Sequence, residues 1–450
     1  MTRAGGTDSL GALDIFLLCL VGVYLFILPI PHTIAVRNML VLLLLAVLLV
    51  DGFRTRPEMG FTPAPPWWRI VVVLVSLTAW LLFQAAFLSF DPHWALSEVK
   101  GQWLTAMFAF ITGTVLGRRM LRRRRFLQAV FTVLLLVLLA HILYIDGVGI
   151  RHFLATRGWV SRVSGLAEGP HHASYLTNTM YALLLTETLY RYHLRRRLLP
   201  GGGVALVGIF FLAAISTLME GSRNGEVAML VIGVIGLALA RWGRERASGR
   251  IRWGAVLLVT VLLLVPLVYN VRHDMRWQTF METVPIALQT ERYKTWLNHH
   301  KYPPPHLQDG SPVNLSNYLR IAWAKEGLRL VLEHPLGVGY GREAFGRGLM
   351  QKYGEHALWH SHSGLLELAI GAGLPAVFLW LVFIGMLLHQ GYRHVRAGGG
   401  YAAFFLLLFA GGFFFRSIID FNTKNHVLMT FFFLVGITAM LMFHERETEA

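Results

Sequence analysis

Long apolar runs constrain this chain more than any other feature it has. A backbone in hydrocarbon must satisfy its own hydrogen bonds, which leaves only helices or closed barrels. Runs of roughly 17 to 25 apolar residues select the helix. Twelve such spans are expected, at about 12–30, 34–50, 70–90, 100–117, 126–146, 172–190, 202–219, 225–240, 253–270, 363–388, 401–418 and 427–443. Hydrophobic residues make up 55 % of the chain and charged residues 15 %, against roughly 25 % charged in soluble domains. That balance rules out a disordered chain and disfavours a soluble enzyme. The expected fold class is therefore an all-α integral membrane protein of about twelve transmembrane helices. It divides into residues 1–270 (helices 1–9), a large, partly helical loop subdomain at 271–361, and residues 362–450 (helices 10–12). The first run is expected to stay attached, because Pro29, Pro31 and His32 stand where a cleavage site would need small residues. Cys19 is the single cysteine, which excludes a disulfide framework and a cysteine-based zinc site.

The excess of 41 Lys and Arg over 25 Asp and Glu is read by side of the membrane. An even number of spans puts both termini on one side. The segments on that side, 1–11, 51–69, 118–125, 191–201, 241–252, 389–400 and 444–450, hold 22 Lys and Arg together. The dense runs are Arg118, Arg119, Arg122, Arg123, Arg124 and Arg125, and then Arg241, Arg244, Arg246, Arg250 and Arg252. This predicts a cytoplasmic location for those segments, with the arginines at anionic headgroups. The basic balance then needs no nucleic-acid partner.

Two outer segments break the rhythm of short loops. One, 147–171, carries Arg151, Arg157, Arg162 and His171, with His172 directly after it. The other, 271–361, has eleven basic and eight acidic residues and a break at Pro303-Pro304-Pro305. A helix is expected there from about 312 to 333, with Pro312 at its first position and its stop at His334-Pro335. Leu315, Leu319, Ala322 and Leu330 would form its apolar face. Glu187 and Glu367 are the main acidic residues near or inside spans, and no coupling-ion signature stands out.

The positive-inside rule does not account for the arginines on the outer side. Arg223 lies in the short turn Gly221-Ser222-Arg223-Asn224-Gly225. Its planar, permanently charged fork matches phosphate oxygens, and the plain alternative is snorkelling or a pair with Glu220. Arg320 sits among apolar neighbours on the loop helix, where the plain reading is a solvated arginine. Gly337, Gly339 and Gly341 follow the helix stop and permit close backbone approach, which makes Gly339 and His334 candidates for substrate contact. His356, His360 and His362 precede the tenth span. A histidine there can move a proton near neutral pH. Their spacing could also hold a metal, but no carboxylate or cysteine lies close in sequence, and no metal or cofactor is expected. Two arginines and a histidine at the outer boundary suit a lipid-linked pyrophosphate. The arginines would neutralise the leaving group and His362 would take a proton from the attacking hydroxyl.

The order of these motifs resembles the O-antigen ligase and O-antigen polymerase superfamily, most closely the bacterial O-antigen ligases. Gly221-Ser222-Arg223 is similar to the family's short Ser-Arg loop. Arg320, Trp323 and His334-Pro335-Leu336-Gly337-Val338-Gly339-Tyr340-Gly341 are similar to its second block. His362-Ser363, ten positions or so before Gly373, is similar to its histidine motif. Ser363 stands where asparagine is familiar, and Ala376 where a glycine-type residue is expected. The resemblance implies transfer of O-antigen polysaccharide from undecaprenyl pyrophosphate to the lipid A–core oligosaccharide, at the periplasmic face of the inner membrane. It also implies inversion at the anomeric carbon and no covalent enzyme intermediate. His362, Arg223 and Arg320 would be catalytic, and Arg157, Arg162, His171, His172, His334, Gly339 and Ser363 would bind substrate. The alternatives are an O-antigen polymerase, a protein O-oligosaccharyltransferase, or, from a different class, a transporter of lipid-linked glycans.

Overall fold

The computed structural model describes residues 9–54, 65–158, 162–242 and 279–444, with a few positions between 261 and 272. Its described helices are α1 (Ala12–Ile27), α2 (Ile34–Arg54), α3 (Pro65–Phe87), α4 (Pro92–Glu98), α5 (Thr105–Arg122), α6 (Arg124–Thr156), α7 (Pro170–Leu194), α8 (Gly203–Glu220) and α9 (Arg223–Trp242). After the loop segment begins come α10 (Phe280–Ala287), α11 (Leu315–Glu333) and α12 (Ala344–Tyr353), and then α13 (Gly364–Arg396), α14 (Tyr401–Ile419) and α15 (Asn425–His444). Among the described residues there is no strand, only an isolated bridge between His306 and Pro312. The protein is all-helical.

Eight of these helices, α2, α3, α6, α8, α9, α13, α14 and α15, are long and apolar enough to cross a membrane by length and composition. α1 is apolar but has only sixteen residues. α5 and α7 fall where spans at 100–117 and 172–190 are expected, and both pack inside the same bundle. The expected ninth span, 253–270, and the basic positions 244, 246, 250 and 252 lie outside the described residues or nearly so.

α15 is the centre of the bundle. It lies along α5 at backbone contact distance, because Gly113 and Gly117 on α5 and Gly436 on α15 leave no side chain between the two chains. A Cβ on Gly113 would strike the Phe433 carbonyl, and one on Gly436 would strike that of Phe110. Small residues four apart are how helices approach closely where lipid removes the hydrophobic drive to associate. Around this pair the interior is filled with rings: Phe413 stacks on Phe431 at 3.9 Å, and Trp380, Phe383 and Phe405 are fully buried.

Two arginines of the basic end make ion pairs within the protein. Arg119 donates to Asp14 at 2.7 Å and also pairs with Asp51, and Arg123 donates to Asp14 at 2.6 Å. Asp14 is wholly buried. These two arginines thus tie α1, α2 and α5 together. Glu187 serves the same end. It accepts from Arg191 at 2.6 Å and from the Leu198 and Leu199 amides, folding the connection after α7.

At the opposite end, the loop segment makes its own apolar cluster. Trp296, Leu297, Tyr318, Trp323, Leu330 and Phe345 are buried together and rest on Ala369 and Ile370 of α13. The helix expected from 312 begins instead at Leu315. Asn314 caps it, its side chain accepting from the Asn317 amide at 3.2 Å, while Pro312 is held in the bridge with His306. Asparagine is among the strongest N-cap residues, which overrides the proline signal. The expected apolar face is present at Leu319, Ala322 and Leu330, extended by Tyr318 and Trp323.

Candidate active site

α8 ends where Gly221 turns left-handed at φ 53°, its amide donating to the Thr217 carbonyl. That tight turn delivers Arg223 to the first position of α9. Arg223 Nη1 donates to Asn317 Oδ1 at 2.6 Å and Nη2 to Ser316 Oγ at 3.2 Å, both on the first turn of α11. Arg320, one turn along α11, reaches back and donates to Asn224 Oδ1 at 3.0 Å. Asn224 in turn donates to the Ile419 carbonyl at the end of α14 at 3.0 Å. The two arginines therefore cross-brace the turn and the loop helix. Glu220 points into the bundle and accepts from Thr177 Oγ1 at 2.5 Å.

His362 comes from a third element. Ser363 caps α13, its hydroxyl accepting from the Leu366 amide at 3.2 Å and donating to the Ser417 carbonyl at 3.3 Å. Just before the cap, His362 has φ 60°, a region few side-chain-bearing residues enter. Its neighbours hold it there. The ring stacks on the Trp323 indole with centroids 5.4 Å apart and planes 15° apart, and His360 approaches it edge-on at 4.4 Å. Glu367 accepts from the Ser361 amide and hydroxyl, each at 2.8 Å, and from the Phe345 amide at 3.0 Å. Trp323 lies three residues after Arg320, so both project from one face of α11. Burial first, and then the nearby Arg320 guanidinium, lower the His362 pKa to about 4. The imidazole is neutral at pH 7 and able to accept a proton.

The sequence reading missed the layer beneath. Arg416 is only 1 % exposed near the end of α14. It donates to Asp420 at 2.9 Å, to Ser174 Oγ at 2.8 Å and to the His171 carbonyl at 2.8 Å, and its guanidinium lies 3.3 Å over the Tyr175 ring. Tyr175 also donates to Asp420 at 3.0 Å. Burial pushes the Asp420 carboxyl up, but Arg416 and its other partners more than offset this and hold it below the ordinary range. Lys424 sits over the Phe421 ring at 4.3 Å, close enough for its charge, with that of Asp420, to act on His362. A guanidinium inside an apolar run was the available signal. Arg416 stands two residues from the expected end of its span, where an arginine is ordinary.

The predicted site residues thus separate into groups. Arg223, Arg320, His362 and Ser363 converge directly, and His171 joins them through its carbonyl, which accepts from Arg416. His172 lies against His171 with ring centroids 4.1 Å apart and planes tilted by 45°, and meets His426 edge-on at 5.0 Å. Arg162 is exposed at φ 72°, next to Val163, whose amide donates to the Met219 carbonyl near the Arg223 turn. Arg157 ends α6 in the left-handed region and is exposed, farther along the same segment. The structure does not bring His334 or Gly339 to the cluster. His334 ends α11 fourteen residues from Arg320, about 21 Å along the axis, and its ring meets Phe90 edge-on at 5.1 Å. Gly339 is used in packing. Its amide donates to the Gly371 carbonyl at 2.9 Å, and a side chain there would strike Ser89. Among the described residues, no three His, Cys, Asp or Glu side chains are grouped as a metal site would need.

Residues 208–381 match the family model described as O-antigen ligase. The matched stretch is about two fifths of the chain, and over that stretch the chain is similar to O-antigen ligases. The matched stretch contains Arg223, Arg320, His334, Gly339, His362 and Ser363, while Arg416 and Asp420 lie beyond it. The match and the eight apolar helices of membrane-crossing length together point to a multi-pass membrane protein that is similar, over this stretch, to O-antigen ligases. No curated protein matches the chain.

Proposed function

We propose that this protein is an O-antigen ligase in the strict sense. It transfers O-antigen polysaccharide from undecaprenyl pyrophosphate to a hydroxyl of the lipid A–core oligosaccharide, completing lipopolysaccharide. The reaction occurs at the periplasmic face of the inner membrane, with both termini in the cytoplasm and residues 271–361 on the periplasmic side. The observation that carries this reading is the convergence of Arg223, Arg320 and His362 from three separate elements.

The chemistry follows from charge. The acceptor oxygen attacks the anomeric carbon, a new C–O bond forms, and the bond to the pyrophosphate oxygen breaks with inversion. Arg223 and Arg320 donate to amide and hydroxyl oxygens of Asn317, Ser316 and Asn224, and a guanidinium's five N–H donors let pyrophosphate oxygens bind beside these contacts. Charge placed where the leaving group develops stabilises the transition state directly. In this reading the arginines fill the place a divalent ion occupies in other glycosyltransferases. His362 takes the proton of the acceptor hydroxyl. It starts neutral, and the bound pyrophosphate raises its proton affinity as the charge develops. His171, His172, Arg162 and Arg157 line the approach, and Ser363 fixes the backbone next to the base.

The test is reconstitution of purified protein with an undecaprenyl-pyrophosphate-linked polysaccharide and lipid A–core as acceptor. Polysaccharide attached to lipid A–core is the expected product. Elongated donor formed in the absence of acceptor identifies a polymerase instead, and donor that only changes leaflet identifies a transporter.

A further inference from the structure

α11 has three faces, and contacts within the loop segment account for two of them. One is buried under the loop cluster, at Tyr318, Leu319, Ala322, Trp323, Leu330 and Val331. A second is a row of charges at spacing four. Lys325 and Arg329 both pair with Glu291 at 3.1 Å, and Glu333 pairs with Lys352 at 2.5 Å. The third row, one position earlier, is apolar and uncovered: Leu328 is 59 % exposed, Leu332 80 % and Leu336, just past the helix, 48 %.

This row does not stand alone. α13 is broken at Gly373 (φ 77°), and the break is filled by the Pro335–Gly337 backbone. The Leu374 amide donates to the Pro335 carbonyl at 2.8 Å, and the Val338 amide to that of Ile370 at 2.9 Å. Leu336 therefore lies directly beside Leu374, which is itself half exposed. From Leu374 the uncovered face of α13 continues through Phe378 and Leu381. His334 meets Phe90, just past the end of α3. The exposed leucines of the loop helix thus run without interruption into the exposed face of a membrane-length helix.

We propose that the C-terminal half of α11 is embedded in the membrane interface, with Leu328, Leu332 and Leu336 in the acyl chains of the bilayer. Continuity with the uncovered face of α13 identifies the occupant as bulk lipid. The adjacent rows fit that placement: an interfacial helix turns its apolar row into the acyl boundary and its charged row to water. The consequence concerns the arginine clamp. Arg320 stands eight residues before Leu328, about 12 Å along the axis, so the lipid-anchored end fixes the height of the other end relative to the bilayer.

The test is site-directed spin labelling in lipid vesicles. Cys19→Ala removes the native thiol, and single cysteines are then placed by Leu332→Cys, Leu328→Cys, Phe378→Cys and Arg329→Cys. Collision rates with oxygen, which partitions into lipid, are compared with those of a water-soluble nickel chelate. The expected result is an oxygen-to-nickel ratio at 332 and 328 close to that at 378 and well above that at 329. A ratio at 332 equal to that at 329 places the row in water and overturns the proposal. Protection from both reagents with spin–spin broadening indicates a second copy of the chain and overturns it as well. Unchanged size-exclusion behaviour of the Leu332→Cys variant guards against misfolding. None of these outcomes depends on which glycosyl acceptor the site uses.

Discussion

The site rests on single side chains whose alternatives can be separated by substitution. Arg223→Ala and Arg320→Ala are expected to lower transfer over a hundredfold with normal accumulation in the membrane. Losing one charge-assisted contact to a developing pyrophosphate costs about 3 kcal/mol. Lysine should rescue poorly, since it lacks the planar fork that reaches two oxygens at once. Initial-rate assays on membranes with matched protein levels check both points, and a fully active Arg223→Lys enzyme removes that arginine from the clamp. The protonation of His362 gives a separate test. Burial and Arg320 lower its pKa from the ordinary 6.5 to about 4. A base must be unprotonated, so kcat/KM should stay flat as pH falls from 7 through 6 and decline only near the lowered value. A decline centred near 6.5 would show a histidine that neither burial nor Arg320 perturbs. Arg223, Arg320 and His362 were legible in the sequence because each is a polar residue at a boundary where an apolar surround is the rule. Arg416 and Asp420 were not, because a four-residue spacing across a helix end carries no mark of its partners on α7.

At the scale of elements, the break in α13 decides the geometry. Only a residue without a side chain fits at Gly373, where φ is 77° and a Cβ would meet the Leu336 backbone. Gly373→Ala is expected to destabilise the protein by about 1–3 kcal/mol, read as a lower thermal transition in detergent. Gly385→Ala, on the same helix with nothing within 4 Å, should be neutral or slightly stabilising. Equal transitions for the two variants would show that the break carries no strain. The span pattern announced almost every described helix of the bundle, because an apolar run of that length has few other fates. The break did not announce itself, nor did the close approach of Gly337 to the Gly371 carbonyl. A glycine needed for backbone contact reads in sequence like any other: Gly339 is expected at the substrate, and in the structure it lies where a side chain would meet Ser89. The start of α11 was displaced by three residues for a similar reason: the Asn314 cap and the His306 bridge decide it, and the bridge is not local to the helix.

For the whole molecule, the proposal requires that the arginine-rich end and the loop end face opposite solutions. Cysteine labelling in a Cys19→Ala background should mark positions 118–125 only after the cytoplasmic face is opened, and positions 300–310 in intact cells with a permeable outer membrane. Labelling of 300–310 from the cytoplasm would put the site on the wrong side for a periplasmic transfer. The central claim is that one neutral histidine activates the acceptor while the arginines hold the donor. It is tested most directly by measuring donor binding and single-turnover transfer on the same preparation of His362→Ala. Undecaprenyl-linked donor should bind about as tightly as it does to the unmodified protein, and transfer to lipid A–core should be lost. Transfer at the unmodified rate would contradict it.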